Sequence, residues 1–434
     1  MKSSSSSPSL RMLPAERSAA GWLASLFALR MLGLFLILPI LAVHARGMPG
    51  GDDLALVGLA LGIYGLTQAL LQIPMGMASD RFGRKPVIAF GLLLFAAGSL
   101  WAAWAPSVEQ LVWARALQGS GAISAAVTAF LADVTRDEVR SKAMAMIGGS
   151  IGLTFALSLA LAPVLYSWVG MSGLFELTAL LCGAALWVVF TRLPKEPAQS
   201  PAQSPAGSPA LAPVAVGEAP RLHTDASWRG VVFMPDLLRL NAGIFTLHLT
   251  QMALFVVMPP LLVKTAGLMV DQHWQVYLPV ILLSFVFMVP PMIWAEKQGK
   301  TKQVKLAAVL VMALVQAAFA MAGDSAWMLF ALLVAYFVSF NLLEAMLPSW
   351  VSRVAPASSR GLALGVYNTT QALGLFAGGW LGGLVSKHFG ATHVFEVIAL
   401  LTLLWFVVIL KLKPLPRRTH PPVAADMQAQ TAGV

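Results

Sequence analysis

Four ionisable side chains stand deep inside long apolar runs of this sequence: Arg30, Arg115, His248 and Glu344. An imidazole and a carboxylate can take up and release a proton in such a place, whereas a guanidinium keeps its charge and can hold or steer an anion. A charged group in hydrocarbon is costly, so each should face protein or water. Helical spacing adds polar neighbours. Gln118 and Gly119 share a face with Arg115, Gln251 lies three residues after His248, and Tyr336 and Asn341 lie on the face of Glu344. Each group also has a plainer reading. Arg115 could snorkel to an interface, His248 could be a hydrogen-bonded packing residue, and Glu344 could be the counter-charge of an Arg.

A second constellation is the segment Gly76-Met-Ala-Ser-Asp80-Arg81-Phe-Gly83-Arg84-Lys85. Its two glycines permit a tight turn and its three cations fix it on one side of a membrane. Asp80 is the unusual member, because a charge signal for topology needs no carboxylate. The alternative is a positively charged turn and nothing more.

The elements that must position these residues are membrane spans. The chain is 58% hydrophobic and only 11% charged, with mean hydropathy +0.76. Soluble domains carry about 25% charged residues, so composition excludes a soluble enzyme. Roughly 20 apolar residues cross a bilayer as a helix. Such spans are read at 19–43, 54–77, 87–105, 107–131, 142–165 and 171–192, then at 237–262, 272–295, 303–322, 325–350, 360–384 and 391–411. The first, from Trp22 to Val43, is too long for a cleaved signal core. Between the two sets lies a Pro/Ala/Ser-rich stretch that cannot pack. The expected organisation is therefore a tail at 1–18, a six-helix bundle at 19–192, a linker at 193–236, a second bundle at 237–411 and a tail at 412–434.

Charge sets the orientation. The N-terminus, the loops between helices 2–3, 4–5, 6–7, 8–9 and 10–11, and the C-terminal tail hold 24 of the 29 Lys and Arg; the opposite loops hold Arg46, Lys264 and Lys387. Both termini are thus expected in the cytoplasm. The formal net charge of +10 is a topology signal, with no nucleic-acid partner implied. Lys411, Lys413, Arg417 and Arg418 mark the end of the last span.

At an offset of 220 residues Pro39 falls on Pro259, Gly47 on Gly267, Arg140 on Arg360, Gly170 on Gly390 and Phe175-Glu176 on Phe395-Glu396. Six spans separate the copies, so the halves are parallel repeats. Such repeats place a substrate site between them near the midplane and alternate access by rocking. Helices 1, 4, 7 and 10 then line the cavity, and these carry the four deep ionisable residues. Glu176 and Glu396 read as interfacial. The glycines of helix 11 (Gly374, Gly378, Gly379, Gly382 and Gly383) permit close packing. Cys182 can form no intrachain disulfide, being the sole cysteine, and the methionines read as packing residues, with no metal or other cofactor implied.

The loop from Gly76 to Lys85 resembles the signature G-x-x-x-[DE]-[RK]-x-G-[RK]-[RK] of the major facilitator superfamily at every specified position. The resemblance implies a twelve-helix fold of two six-helix bundles. It also implies that the loop latches the outward-facing state, with Asp80 near the start of helix 11 after Arg360. Arg84 and Asp133 would complete the charge relay, and a carboxylate suits a helix N-terminus. Arg115-Ala-Leu-Gln118-Gly119 resembles the R-x-x-Q-G pattern of proton-coupled members. Strings such as SLFALRMLGLF, RALQGSGAI and SFNLLEAMLPS are similar to the drug/proton-antiporter branch, over about residues 18–411. Members with a small ferredoxin-like domain after the last helix exist; here about 23 residues follow Lys411, so regulation by such a domain is not expected. Two features depart from that branch. Arg30 stands where many members carry an acidic residue in helix 1, and the helix 5 signature keeps Gly148, Gly149 and Gly152 but closes in Ala162-Pro163.

The reading is a monomeric, proton-coupled exporter of small organic molecules in the bacterial inner membrane, with no enzymatic chemistry. Glu344 is the expected proton carrier, assisted by His248, Arg115 or Arg30. A proton-coupled importer of a metabolite, anionic in view of Arg30 and Arg115, keeps the same fold. A non-transporting membrane sensor or scaffold is the alternative of another class.

Overall fold

Lipid offers a backbone no hydrogen-bond partner, so the apolar runs satisfy themselves as helices. The computed structural model describes residues 11–194, 228–323, 325–356 and 359–413; residues 1–10 and 414–434 of the expected tails and most of the Pro/Ala/Ser linker, with Arg417 and Arg418, fall outside the described residues. Helix 1 spans Pro14–Arg46, helix 2 Leu54–Phe82 and helix 3 Arg84–Ala103. Helix 4 comes in two pieces, Val108–Ser120 and Ser124–Asp133. Helices 5 and 6 form one bent run, Asp137–Thr191, turned at Gly170. A short helix, Trp228–Val232, precedes helix 7, Pro235–Ala266. Helix 8 is Trp274–Gln298, helix 9 Thr301–Ala320, helix 10 Ala326–Val354, helix 11 Arg360–Phe389 and helix 12 Ala391–Leu410.

Nine runs among the described residues are long and apolar enough to cross a membrane unaided. Counting the bent run twice and adding the divided helix 4 and glycine-rich helix 11 gives twelve spans in two parallel bundles of six. The internal repeat is visible in the backbone. Gly170 and Gly390, joining helices 5 to 6 and 11 to 12, have φ of 64° and 92°, a region costly for any residue with a Cβ.

Three details differ from the sequence reading. Helix 1 begins at Pro14, ahead of the expected span, because Glu16 closes its first turn on the Leu13 N–H at 2.7 Å and pairs with Arg136 Nε at 2.7 Å. Helix 4 is interrupted at 121–123, where Gly121 takes φ −75° and ψ 49°. Lys305, one of the cations expected on the cytoplasmic side, is fully buried in the second turn of helix 9. Its Nζ stands 3.4 Å from the Trp350 ring centroid, so an aromatic face takes the place of water.

The two bundles meet along helices 2 and 11. Gly62 faces the Phe376 carbonyl and Gly379, while Gly383 faces Leu54 and Gly58; an added Cβ on Gly62 would stand 2.6 Å from Phe376 O. This seam runs from the face opposite the start of helix 1 and the end of helix 12 to mid-depth and is crossed at its outer end by Lys387 Nζ–Asp53 Oδ2 at 2.8 Å. Phe155 of helix 5 adds ring contacts to Phe337 and Phe340 of helix 10 at 6.2 and 6.3 Å. On the face where helix 1 starts and helix 12 ends, Gly148, Gly149 and Gly152 of helix 5 and Gly361 and Gly365 of helix 11 have open space among the described residues where a Cβ would be.

Candidate functional site

Helices 7, 10 and 11 bring together the acid–base groups of the second bundle. His248 lies near the middle of helix 7 and is 5% exposed. Its Nδ1 lies 3.3 Å from the Ile244 carbonyl and its Nε2 lies 2.7 Å from Gln371 Nε2. An amide nitrogen only donates, so Nε2 accepts and Nδ1 carries the proton toward Ile244 O. The ring in this arrangement is neutral. Glu344 Oε2 stands 3.8 Å from the same Nε2, without a hydrogen-bond partner among the described residues, although the side chain as a whole is 36% exposed. The carboxyl therefore has both an imidazole neighbour and a route to solvent. Tyr367, buried on helix 11 with an unpartnered hydroxyl, is in electrostatic reach of Glu344.

Gln371 and Tyr367 escaped the sequence reading. Both lie on helix 11, whose glycines drew attention as packing residues, and their offset of four placing them on one helical face was the available signal. The counter-charge alternative for Glu344 is not what the structure has: among the described residues no Arg or Lys comes within ion-pair distance of it. Of the other expected neighbours, Tyr336 is fully buried, with its hydroxyl 3.4 Å from Thr250 and its ring stacked on Phe340. Asn341 turns to helix 8, donating to Ser284 Oγ at 2.8 Å. Gln251 is buried on helix 7.

Arg30 and Arg115 lie apart from these groups, in the core of the first bundle. Both are 0% exposed, so Arg115 does not snorkel. Arg30 Nη2 donates to Tyr64 OH at 2.7 Å and to the Gly121 carbonyl at 3.1 Å, and its guanidinium stands over Phe95. Arg115 Nη1 donates to Gln118 Oε1 at 2.7 Å, and Gln118 donates in turn to Ser99 Oγ at 2.7 Å. Arg115 also lies over the Tyr64 ring, 5.1 Å from its centroid.

The signature loop forms a charge cluster at the face where helix 1 starts and helix 12 ends. Gly83, with φ of 95°, ends helix 2 and opens helix 3, which aims Arg84 back across the turn. Arg84 pairs with Asp80 and, through Nε at 2.9 Å, with Asp133 at the end of helix 4. Gly76 permits helix 2 to approach Ala125, and Lys85 Nζ donates to the Leu193 carbonyl, just past the end of helix 6, at 2.9 Å. Arg81 lies over Phe82. Glu176 and Glu396 are exposed at matching positions. Among the described residues no group of three or more His, Cys, Asp or Glu could hold a metal ion.

The sequence profile of the Major Facilitator Superfamily matches residues 22–379 and, separately, 240–432. The chain is 42% identical to the inner membrane transport protein YajR of Escherichia coli K12, over 94% of this chain and 86% of that protein. It is 28% identical to the multidrug resistance protein MdtH of Aeromonas hydrophila, over 89% of this chain and 91% of that protein. Its fold is similar to that of the human organic anion transporter MFSD10, with a TM-score of 0.66 at 19% identity, covering 92% of this chain and all of the other.

Proposed function

The chain belongs to the Major Facilitator Superfamily and is a multi-pass inner-membrane transporter, and on that premise we propose that it exports small organic molecules in exchange for protons. The observation that carries the proton coupling is the Glu344 carboxyl beside the neutral imidazole of His248, 3.8 Å away, with partial exposure to solvent. A group of this kind changes its charge when the cavity around it changes from wet to dry, and coupling needs a proton held more tightly in one conformation than in the other. Export is favoured by similarity to a multidrug resistance protein over most of both chains.

Both termini are taken to be cytoplasmic, as the loop charges require. The seam on the far face then makes this the inward-facing arrangement. In the outward-facing one, Asp80 and its cluster with Arg84 and Asp133 would latch against the start of helix 11. The transporter works as a monomer in the bilayer.

The test begins with a stabilisation screen of the purified protein to find a compound that binds the folded state. That compound is then offered to inverted vesicles with an acid interior. Accumulation in the lumen, abolished by a protonophore, is the expected result; loss of preloaded compound under the same gradient would make the protein an importer.

A further inference from the structure

We propose that the core of the first bundle is an anion site, built from Arg30, Arg115 and the break in helix 4, and suited to one small planar monovalent anion. Three observations converge there. Arg30 Nε and Nη1 and Arg115 Nη2 are buried nitrogens with no hydrogen-bond partner among the described residues, in side chains that are 0% exposed. Neither guanidinium has a carboxylate within ion-pair distance among the described residues. Two permanent charges held in low dielectric on one phenol, that of Tyr64, repel each other and require compensation.

The third observation is the backbone. Helix 4 is interrupted at 121–123, near the middle of its course, and its second piece starts at Ser124 with no side-chain cap on its N-terminus. The Gly121 carbonyl at that break is the one that Arg30 holds. Unpaired N–H groups at a helix start favour negative charge, and interrupted transmembrane helices put such starts at mid-membrane sites. Gly91 and Gly119 make the crossing tight: a Cβ on Gly119 would meet Tyr64 and Thr67, and one on Gly91 would meet Ile123. The break is thus held against the arginines by packing on both sides.

A guanidinium fork matches the two oxygens of a carboxylate or nitrate, and the local charge repels a cation. The anion is either a free oxyanion or the carboxylate of the transported molecule. The second case rests on the transporter reading above; occupancy of the site does not. It also gives the two bundles separate tasks, with the anion in the first and the proton at Glu344 in the second.

The experiment is a thermal-shift titration of the purified full-length protein with sodium nitrate and sodium acetate. Ionic strength is held with the sodium salt of MES, a sulfonate too bulky for the core. The melting temperature should rise saturably with nitrate or acetate. Arg30→Gln should remove the rise, Arg115→Gln should raise the half-saturating concentration about tenfold or more, and Glu344→Gln should leave it unchanged. An absent rise in the parent protein, or an equal rise in Arg30→Gln and Arg115→Gln, overturns the site. Should the arginine variants not fold, bromide soaked into crystals of the parent protein must give an anomalous peak in contact with both guanidiniums, and its absence is equally decisive against the site. Nitrate that adds nothing in the presence of a carboxylated screening hit assigns the site to substrate; additive shifts assign it to a resident ion. Failure of proton coupling would show only in transport by Glu344→Gln, so the two claims fall separately.

Discussion

Gln371 and Glu344 approach the same nitrogen: His248 Nε2 accepts from the Gln371 amide at 2.7 Å while Glu344 Oε2 waits 3.8 Å away. A protonated Glu344 could donate to that nitrogen only by displacing the amide. An ionised Glu344 faces a ring that is neutral as long as the amide bond persists. Gln371 sits one turn before Gly374, which packs on the Phe245 carbonyl, and helix 11 continues from there into the seam with helix 2. The residue competing with the proton site is therefore built into the helix on which the two halves meet.

The far-face ion pair should respond to substitution and hardly to physiological pH. Asp53 caps helix 2 through Oδ1 and pairs with Lys387 through Oδ2. The hydrogen bond from Lys387 holds its carboxyl below the usual carboxylate range. A depressed carboxylate contributes fully above its unpaired value of about 3.9 and loses that contribution as pH falls through the lowered value. Spin-label distances across the far face should thus not respond to this pair between pH 8 and 5. Asp53→Asn keeps the cap and removes the charge. An exposed pair of this kind contributes about 0.2–1 kcal/mol, so the open population should rise by about 1.5- to 5-fold.

A glycine in the seam and one on the opposite face should respond differently to a methyl group. Gly62→Ala drives a methyl to within 2.6 Å of the Phe376 carbonyl and should part the far face. Gly149→Ala meets open space here and should leave this arrangement intact, while obstructing the alternative one. Distance distributions from the same spin-label pair would report a shift to longer distances for the first and none for the second.

Asp80→Asn should leave the melting temperature within a few degrees, because the Asp80 side chain is 66% exposed. If Asp80 latches the outward-facing state, transport falls and the population moves further toward the arrangement described here. Labels across the face where helix 1 starts would show longer distances. Unchanged distance and flux would leave Asp80 as a turn residue.

The spans, the repeat and the signature loop were legible because each is written in local sequence: apolar runs, a constant offset, and a contiguous ten-residue motif. Arg30, Arg115, His248 and Glu344 were legible because charge inside an apolar run is conspicuous. Their contacts were not. Helix order already divides them between the bundles, but that Glu344 meets His248 while both arginines turn into the core of the first bundle depends on packing from several helices. Gln371 and Tyr367 were hidden for the same reason, being ordinary polar residues on a helix conspicuous for its glycines. The interruption of helix 4 was masked by an apolar pattern that continues through Gly121 without a proline.

The central claim, that Glu344 carries the proton, is tested most directly by Glu344→Gln reconstituted in liposomes. Glutamine keeps the shape of the protonated acid and cannot titrate, and among the described residues no Arg or Lys loses a partner at ion-pair distance, so folding should persist. A compound identified by the stabilisation screen should still bind and still exchange against itself across the membrane. Its uphill accumulation under an imposed proton gradient should vanish. Uphill transport by well-folded Glu344→Gln would contradict the account and move the proton to His248.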